Sequence, residues 1–214
     1  MSERSRSDSR LIILSAPSGA GKTSLTRALI RDVDHTVLSV SHTTRAPRPL
    51  ERDGSDYYFV DSDTFMKMVE NNEFLEYAKV FGNYYGTARG PVESLREEGY
   101  NVILEIDWQG ARTVRENVAD SYGIFILPPS FSALRERLTR RGQDSDDVIE
   151  TRMQKAIDEM RHFKEFDRVI INSDFDTALA DLKRLVEGQD AGLDPATIDF
   201  DTLVSIDKKV TLVG

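Results

Sequence analysis

The stretch Leu11-Ile-Ile-Leu-Ser-Ala16-Pro17-Ser18-Gly19-Ala20-Gly21-Lys22-Thr23-Ser24-Leu25 restricts the fold of this chain more than any other. Its apolar run, Leu11 to Leu14, suits a short strand buried on both faces. Leu25, Ala28 and Leu29 then fall on one face at helical spacing. Between strand and helix stands the pattern GxxxxGK(S/T), with Ala16 in place of the first glycine. Gly19 and Gly21 let the backbone turn its N–H groups toward an anion, and the helix N-terminus adds the positive end of its dipole. Lys22 has the reach for β- and γ-phosphates, and the Thr23 hydroxyl suits Mg²⁺. The plain alternative is a glycine turn that binds nothing. A readable strand before the loop and a readable helix after it favour a nucleoside triphosphate site.

At 214 residues the chain has room for one domain with inserted subdomains. A net charge of −9 argues against general nucleic-acid or membrane-surface binding. The basic residues are 20 arginines and 8 lysines, and arginine suits planar, bidentate phosphate contacts. There is no cysteine, hence no disulfide or thiolate metal site, which points to the cytoplasm. His35, His42 and His162 are too dispersed for a zinc site. No apolar run approaches the ~20 residues of a spanning helix. Residues 1–9 are Ser/Arg/Asp-rich without an apolar segment, which predicts a disordered lead and no signal peptide.

Strands are expected at 36–41, 57–60, 74–80, 102–106, 124–127 and 169–171. Helices are expected at 92–98, 110–118, 130–141, 149–166 and 176–187, with a further one carrying Phe65, Met66 and Val69 and capped by Asp63. Residues 82–86 read as a turn. Short apolar strands alternating with helices predict an α/β fold with a parallel sheet covered on both faces. Residues 41–90 break that rhythm, being aromatic-rich, and read as an inserted small subdomain. Polar residues 142–147 have almost nothing apolar to bury and read as mobile. The tail, 188–214, has strand-like runs at 202–206 and 210–213 and no assigned role.

A second constellation lies in Ser41-His-Thr-Thr-Arg45-Ala-Pro-Arg48-Pro-Leu-Glu-Arg-Asp-Gly54-Ser-Asp-Tyr57. Arg45 and Arg48 flank a proline that keeps the segment extended. With Tyr57, and with Tyr85 from the Gly-Asn-Tyr-Tyr-Gly turn, they offer one anion two guanidiniums and two phenols. The alternative is a solvated charged loop with its tyrosines in a small core.

This segment resembles the nucleoside-monophosphate site of guanylate kinases, and later motifs follow in that family's order. They are Asn71-Asn-Glu73-Phe-Leu-Glu76, Asn83-Tyr-Tyr-Gly-Thr87, Leu104-Glu-Ile-Asp107-Trp-Gln-Gly110, Pro128-Pro-Ser130 and Arg137-Leu-Thr-Arg-Arg141-Gly142. The resemblance covers residues 10–187. It implies a P-loop kinase with a parallel sheet, a GMP-binding subdomain over 41–90 and a short lid over 135–152. It also implies direct in-line transfer of the ATP γ-phosphoryl group to GMP, with Mg²⁺. By that resemblance Arg45, Arg48, Tyr57 and Tyr85 hold the monophosphate, and Ser41, Glu76 and Thr87 face guanine with Asp107 close by. ATP falls to Ala16, Pro17, Ser18, Gly19, Ala20, Gly21, Lys22 and Thr23, with Asn172 on adenine. Lys22, Arg45, Arg137, Arg141 and Arg152 are then the catalytic cations, and Thr23 and Asp107 the magnesium ligands.

The chemistry agrees at each position. An ionised Glu76 accepts from N1–H and the 2-amino group of guanine, and the Thr87 hydroxyl donates to O6. Asp107 ends a buried strand where a Walker-B-like acid sits in an open α/β sheet; its alternative is a helix cap before Gly110. Within the cluster Arg135, Arg137, Arg140 and Arg141, the first and third read as solvated. Two other functions stay open: a guanylate-kinase-like binding module for phosphopeptides, and a kinase of another small phosphate acceptor. Lys22, Thr23, Asp107 and the lid arginines argue against the first; Glu76, Thr87 and the double tyrosine argue against the second. Nothing in the sequence fixes an oligomeric state.

Overall fold

The computed structural model describes residues 5–80, 82–140 and 146–201. Leu11–Ser15 form β1, buried throughout, and Lys22–Asp32 form α1, with Gly21 left-handed at its N-cap (φ 99°). Thr36–Leu38 (β2) and His42–Thr43 (β3) divide what the sequence suggests as one strand. The ladders explain the break: Ser39 N–H still donates to Ile103, whereas His42 and Thr43 pair in a second sheet. Tyr58–Phe59 (β4) leads to Ser62–Glu70 (α2). The cap of α2 is Asp61, whose carboxylate accepts from Thr64 N–H at 2.7 Å, and not Asp63. Phe74–Val80 (β5) and Asn83–Ala88 (β6) form a hairpin, so the segment expected as a turn is mostly strand.

Then follow Arg89–Glu97 (α3), Asn101–Glu105 (β7), Trp108–Asn117 (α4), Ser121–Leu127 (β8), Phe131–Arg140 (α5), Asp146–Met160 (α6), Arg168–Ile171 (β9) and Phe175–Val186 (α7). The long helix expected through Phe166 ends at Met160, where a 3-10 turn, Arg161–Glu165, takes over. Residues 141–145, most of the stretch read as mobile, and the strand-like runs of the tail lie outside the described residues. Part of the lead read as disordered is ordered: Arg6–Asp8 is a 3-10 turn closed by Ser5 and Asp8. Arg96 Nε anchors it by donating to Ser9.

The larger sheet has the order β2-β7-β1-β8-β9, with parallel pairs β2–β7 and β8–β9. Its central runs bury every residue from Ile12 to Leu14 and from Val102 to Leu104, as strands covered on both faces must. The fold is therefore α/β. The smaller sheet, β4-β3-β6-β5, is mixed, with β3 parallel to β4 and antiparallel to β6.

The chain divides into two compact units: the residues through Ile13 with His35–Tyr122, and Leu14–Asp34 with those from Gly123. In the first, the small sheet and α2 share a core of Phe65, Phe74 and Ala88, to which Val60, Val69 and Tyr84 add. Phe65 stacks on Phe74 at 4.6 Å and on Tyr84 at 5.4 Å. A short helix on a short sheet has few residues to bury, and aromatics give each one the largest apolar area. In the second unit, Leu179, Leu182, Leu185 and Val186 line the buried side of α7, and Ile124 to Leu127 with Val169 and Ile170 supply the strands.

Candidate active site

The phosphate loop belongs to the second unit. It forms a concavity of about 170 Å³ lined by Ala16 to Gly19 and Gly21 to Ser24. Gly19 and Gly21 both hold positive φ, 92° and 99°. Each also lacks room for a side chain. A Cβ on Gly19 would come within 2.9 Å of Leu134, whose face with Leu138 supports the loop, and one on Gly21 within 2.4 Å of Asn172 Nδ2. Asn172, expected on adenine, is buried instead, and its amide donates to Ala20 O at 2.8 Å. Arg137, expected on ATP phosphates, donates to two carbonyls, Ala20 O at 3.3 Å and Asn172 O at 2.8 Å. Both residues brace the loop from below. Sequence spacing could not show this, because their partners are main-chain oxygens more than thirty residues away.

The other candidate lid residues separate as follows. Arg135 pairs with Glu150 and Arg140 with Glu136, both on exposed surface, in keeping with a solvated reading. Arg152 is part-exposed on α6, and Arg141 lies outside the described residues. Ser18 N–H donates to Glu159 at 3.3 Å, so a carboxylate already meets this loop.

The first unit carries the second group of candidate residues. Tyr57 and Tyr85 come together with ring centroids 6.0 Å apart, and the Arg45 guanidinium lies 5.4 Å from the Tyr57 ring and 5.8 Å from Phe59. Arg45 also donates to Ala46 O at 2.7 Å and to Glu51 Oε1 at 2.9 Å. Arg48 is exposed, and its main-chain N–H donates to Glu51 Oε2 at 2.8 Å. Glu51 is the residue that sequence reasoning missed. It sits in a charged loop where one more carboxylate carries no signal. The guanidinium of Arg45 holds that carboxyl below the ordinary carboxylate range, against the opposing effect of burial.

Glu76 and Thr87 face each other across the β5–β6 ladder. A register shift between Phe74 and Glu76 matters here. Without it the two would share one side of the strand; with it Phe74 enters the aromatic core while Glu76 turns to the side of Tyr85 and Thr87. Glu76 is only 6% exposed, and Thr87 Oγ1 donates to its Oε1 at 2.6 Å. A Cβ on Gly110 would lie 2.7 Å from Glu76 Oε2, so a side chain there would push the carboxyl from its place. Burial raises the Glu76 carboxyl to about 7; the Thr87 bond opposes this and the charge of Asp107 adds to it. In the ligand-free chain the Glu76 carboxyl is therefore harder to ionise, and there the Thr87 hydroxyl is spent on it. Asp107 caps α4, accepting from Gly110 N–H at 2.8 Å through Oδ1. Ser41 is part-exposed, with its carbonyl on Tyr58 N–H. Among the described residues no group of three or more His, Asp or Glu side chains could hold a metal ion.

The chain matches the family model "Guanylate kinase" over residues 8–189. It is 56% identical to the guanylate kinase of Alkalilimnicola ehrlichii over 175 residues, 82% of this chain and 86% of that protein. With the guanylate kinase of Thiobacillus denitrificans it shares 57% over 172 residues, 80% and 82% of the two chains. The crystal structure of guanylate kinase from Anaplasma phagocytophilum superposes with a TM-score of 0.69 at 35% identity, covering 84% of this chain and 85% of that one. With a family model matched over residues 8–189 and relatives more than half identical over most of both chains, this chain belongs to the guanylate kinase family.

Proposed function

We propose that this chain transfers the γ-phosphoryl group of ATP to GMP, giving ADP and GDP. The observation that carries the reading is the shared face of the small sheet. Arg45, Tyr57 and Tyr85 there suit a phosphate, and the buried Glu76–Thr87 pair suits a base with adjacent donors. A phosphopeptide would use the first set and leave Glu76 buried without a ligand, which a binding module has no reason to maintain.

In this reading Arg45 and Arg48, with the two phenols, hold the GMP phosphate, and Glu76 accepts from N1–H and the 2-amino group of guanine. Guanine displaces the Thr87 hydroxyl toward O6, and Ser41 borders the base. The loop from Ala16 to Thr23 holds the ATP phosphates by its N–H groups, and Lys22 neutralises charge on the γ-phosphoryl group. Arg137 and Asn172 keep that loop in shape; Arg152 and Arg141 are the remaining candidates for charge developing in transfer. The chain needs no nucleophilic side chain, since transfer between phosphates is catalysed by positioning and electrostatics. The Thr23 hydroxyl, exposed at the start of α1, is an oxygen donor that would suit a magnesium ion; Asp107, the acid ligand expected from the sequence, has one carboxylate oxygen committed to capping α4. That ion would neutralise phosphate charge. We place the reaction in the cytoplasm; no helix among the described residues is long and apolar enough to cross a membrane.

A coupled assay of ADP formation with GMP, AMP, UMP and no acceptor tests the proposal. ADP formation dependent on GMP supports it. Equal rates with AMP, or ADP formation without acceptor, would overturn it.

A further inference from the structure

Arg48, Pro49, Leu50 and Glu51 form a turn closed by Glu51 N–H on Arg48 O at 3.1 Å. The third position of such a turn, where proline occupies the second, favours glycine when φ is positive. Leu50 stands there with φ 132° and is fully exposed, so no packing compensates the strain. What holds the turn is its fourth residue. Each oxygen of Glu51 accepts one bond, Oε1 from the Arg45 side chain and Oε2 from the Arg48 main chain. Two of the five N–H groups of Arg45 go to Glu51 and Ala46, and its guanidinium carbon lies over the rings of Tyr57 and Phe59.

We infer that Glu51 is a positioning residue for the acceptor phosphate: its carboxylate orients the Arg45 guanidinium and fixes the main chain of Arg48. The inference rests on the proposed reading of Arg45 and Arg48 as phosphate ligands. A carboxylate near an anion site is an electrostatic cost, which the order it imposes on Arg45 and the Arg48 main chain can offset. Within residues 45–51 the two guanidiniums outweigh the one carboxylate, and an arginine ordered in advance loses less side-chain freedom when the phosphate arrives.

The test is calorimetric binding of GMP and of guanosine, which lacks the phosphate, to the wild type and to Glu51→Gln. The amide accepts only one of the two bonds. GMP affinity should fall at least about tenfold while guanosine affinity stays within about twofold. The KM for ATP should not change. Glu51→Asp keeps the charge but shortens the reach, so it too should lose at least about threefold in GMP affinity. Unchanged or tighter GMP binding in Glu51→Gln, equal losses for GMP and guanosine, or wild-type affinity in Glu51→Asp would each overturn the positioning role. If the wild type binds GMP no tighter than guanosine, the reading of Arg45 and Arg48 falls first, and the inference with it.

Discussion

Thr87 Oγ1 donates to Glu76 Oε1 at 2.6 Å across a register pair of β5 and β6, and the carboxyl so held is almost wholly buried. A buried carboxylate held by Thr87 still has acceptor capacity to spare, and guanine would supply two further donors. Glu76→Gln keeps the shape but loses the charge and one acceptor. It should lower kcat/KM for GMP by at least about tenfold, or ~1.4 kcal/mol. Glu73→Gln is the control, since Glu73 is exposed and bonded to Asn71. Steady-state rates with equal losses for the two variants would remove Glu76 from base recognition.

The same pair predicts a pH dependence. Folding raises the Glu76 carboxyl from 4.5 to about 7, so the folded chain binds the extra proton. Its contribution to stability is complete below about 4.5 and is lost as pH rises through about 7. Urea unfolding should show Glu76→Gln gaining on the wild type between those limits, by roughly 3 kcal/mol at most. Guanosine binds the ionised form, so its affinity should rise with pH over the same interval and stay flat in the variant. Guanosine is the probe because it carries no phosphate to titrate.

Lys22 lies part-exposed at the mouth of the phosphate loop. Lys22→Ala should lower turnover about 10²-fold or more, the scale for losing one preorganised charge donor. Thermal unfolding should change little, because Asn172 and Arg137 hold the loop from below. Near-normal turnover in this variant would defeat the phosphate-loop assignment.

Gly21 and Asn172 are coupled by space. Gly21→Ala places a Cβ where Asn172 Nδ2 stands, at positive φ, and should cost about 1–3 kcal/mol with loss of ATP affinity. Asn172→Ala removes the bond to Ala20 and should cost about 1–2 kcal/mol. Combining them should cost less than the sum, since the alanine at position 172 removes the clash. Additive losses in chemical denaturation would show that the two residues act separately.

Much of the fold was legible in the residues alone. The runs Leu11 to Leu14, Val102 to Leu104 and Ile124 to Leu127 must be covered on both faces, and that alone calls for strands under helices. Gly19, Gly21, Lys22 and Thr23 mark a candidate phosphate loop in the sequence because their chemistry depends on local spacing. Motif order pairs Arg45 and Arg48 with Tyr57 and Tyr85, and Ser41 with Glu76 and Thr87; in the structure Arg45, Tyr57 and Tyr85 lie together, as do Glu76 and Thr87, while Arg48 is exposed. Other features needed the folded chain. The bulge that turns Glu76 away from Phe74, the bracing of Ala20 by Arg137 and Asn172, and the hold of Glu51 on two arginines are long-range or register effects. Spacing along a chain determines what a segment presents to its near neighbours. Which carbonyl an arginine finds, and how far burial lifts a carboxyl, depend on what packing brings from elsewhere.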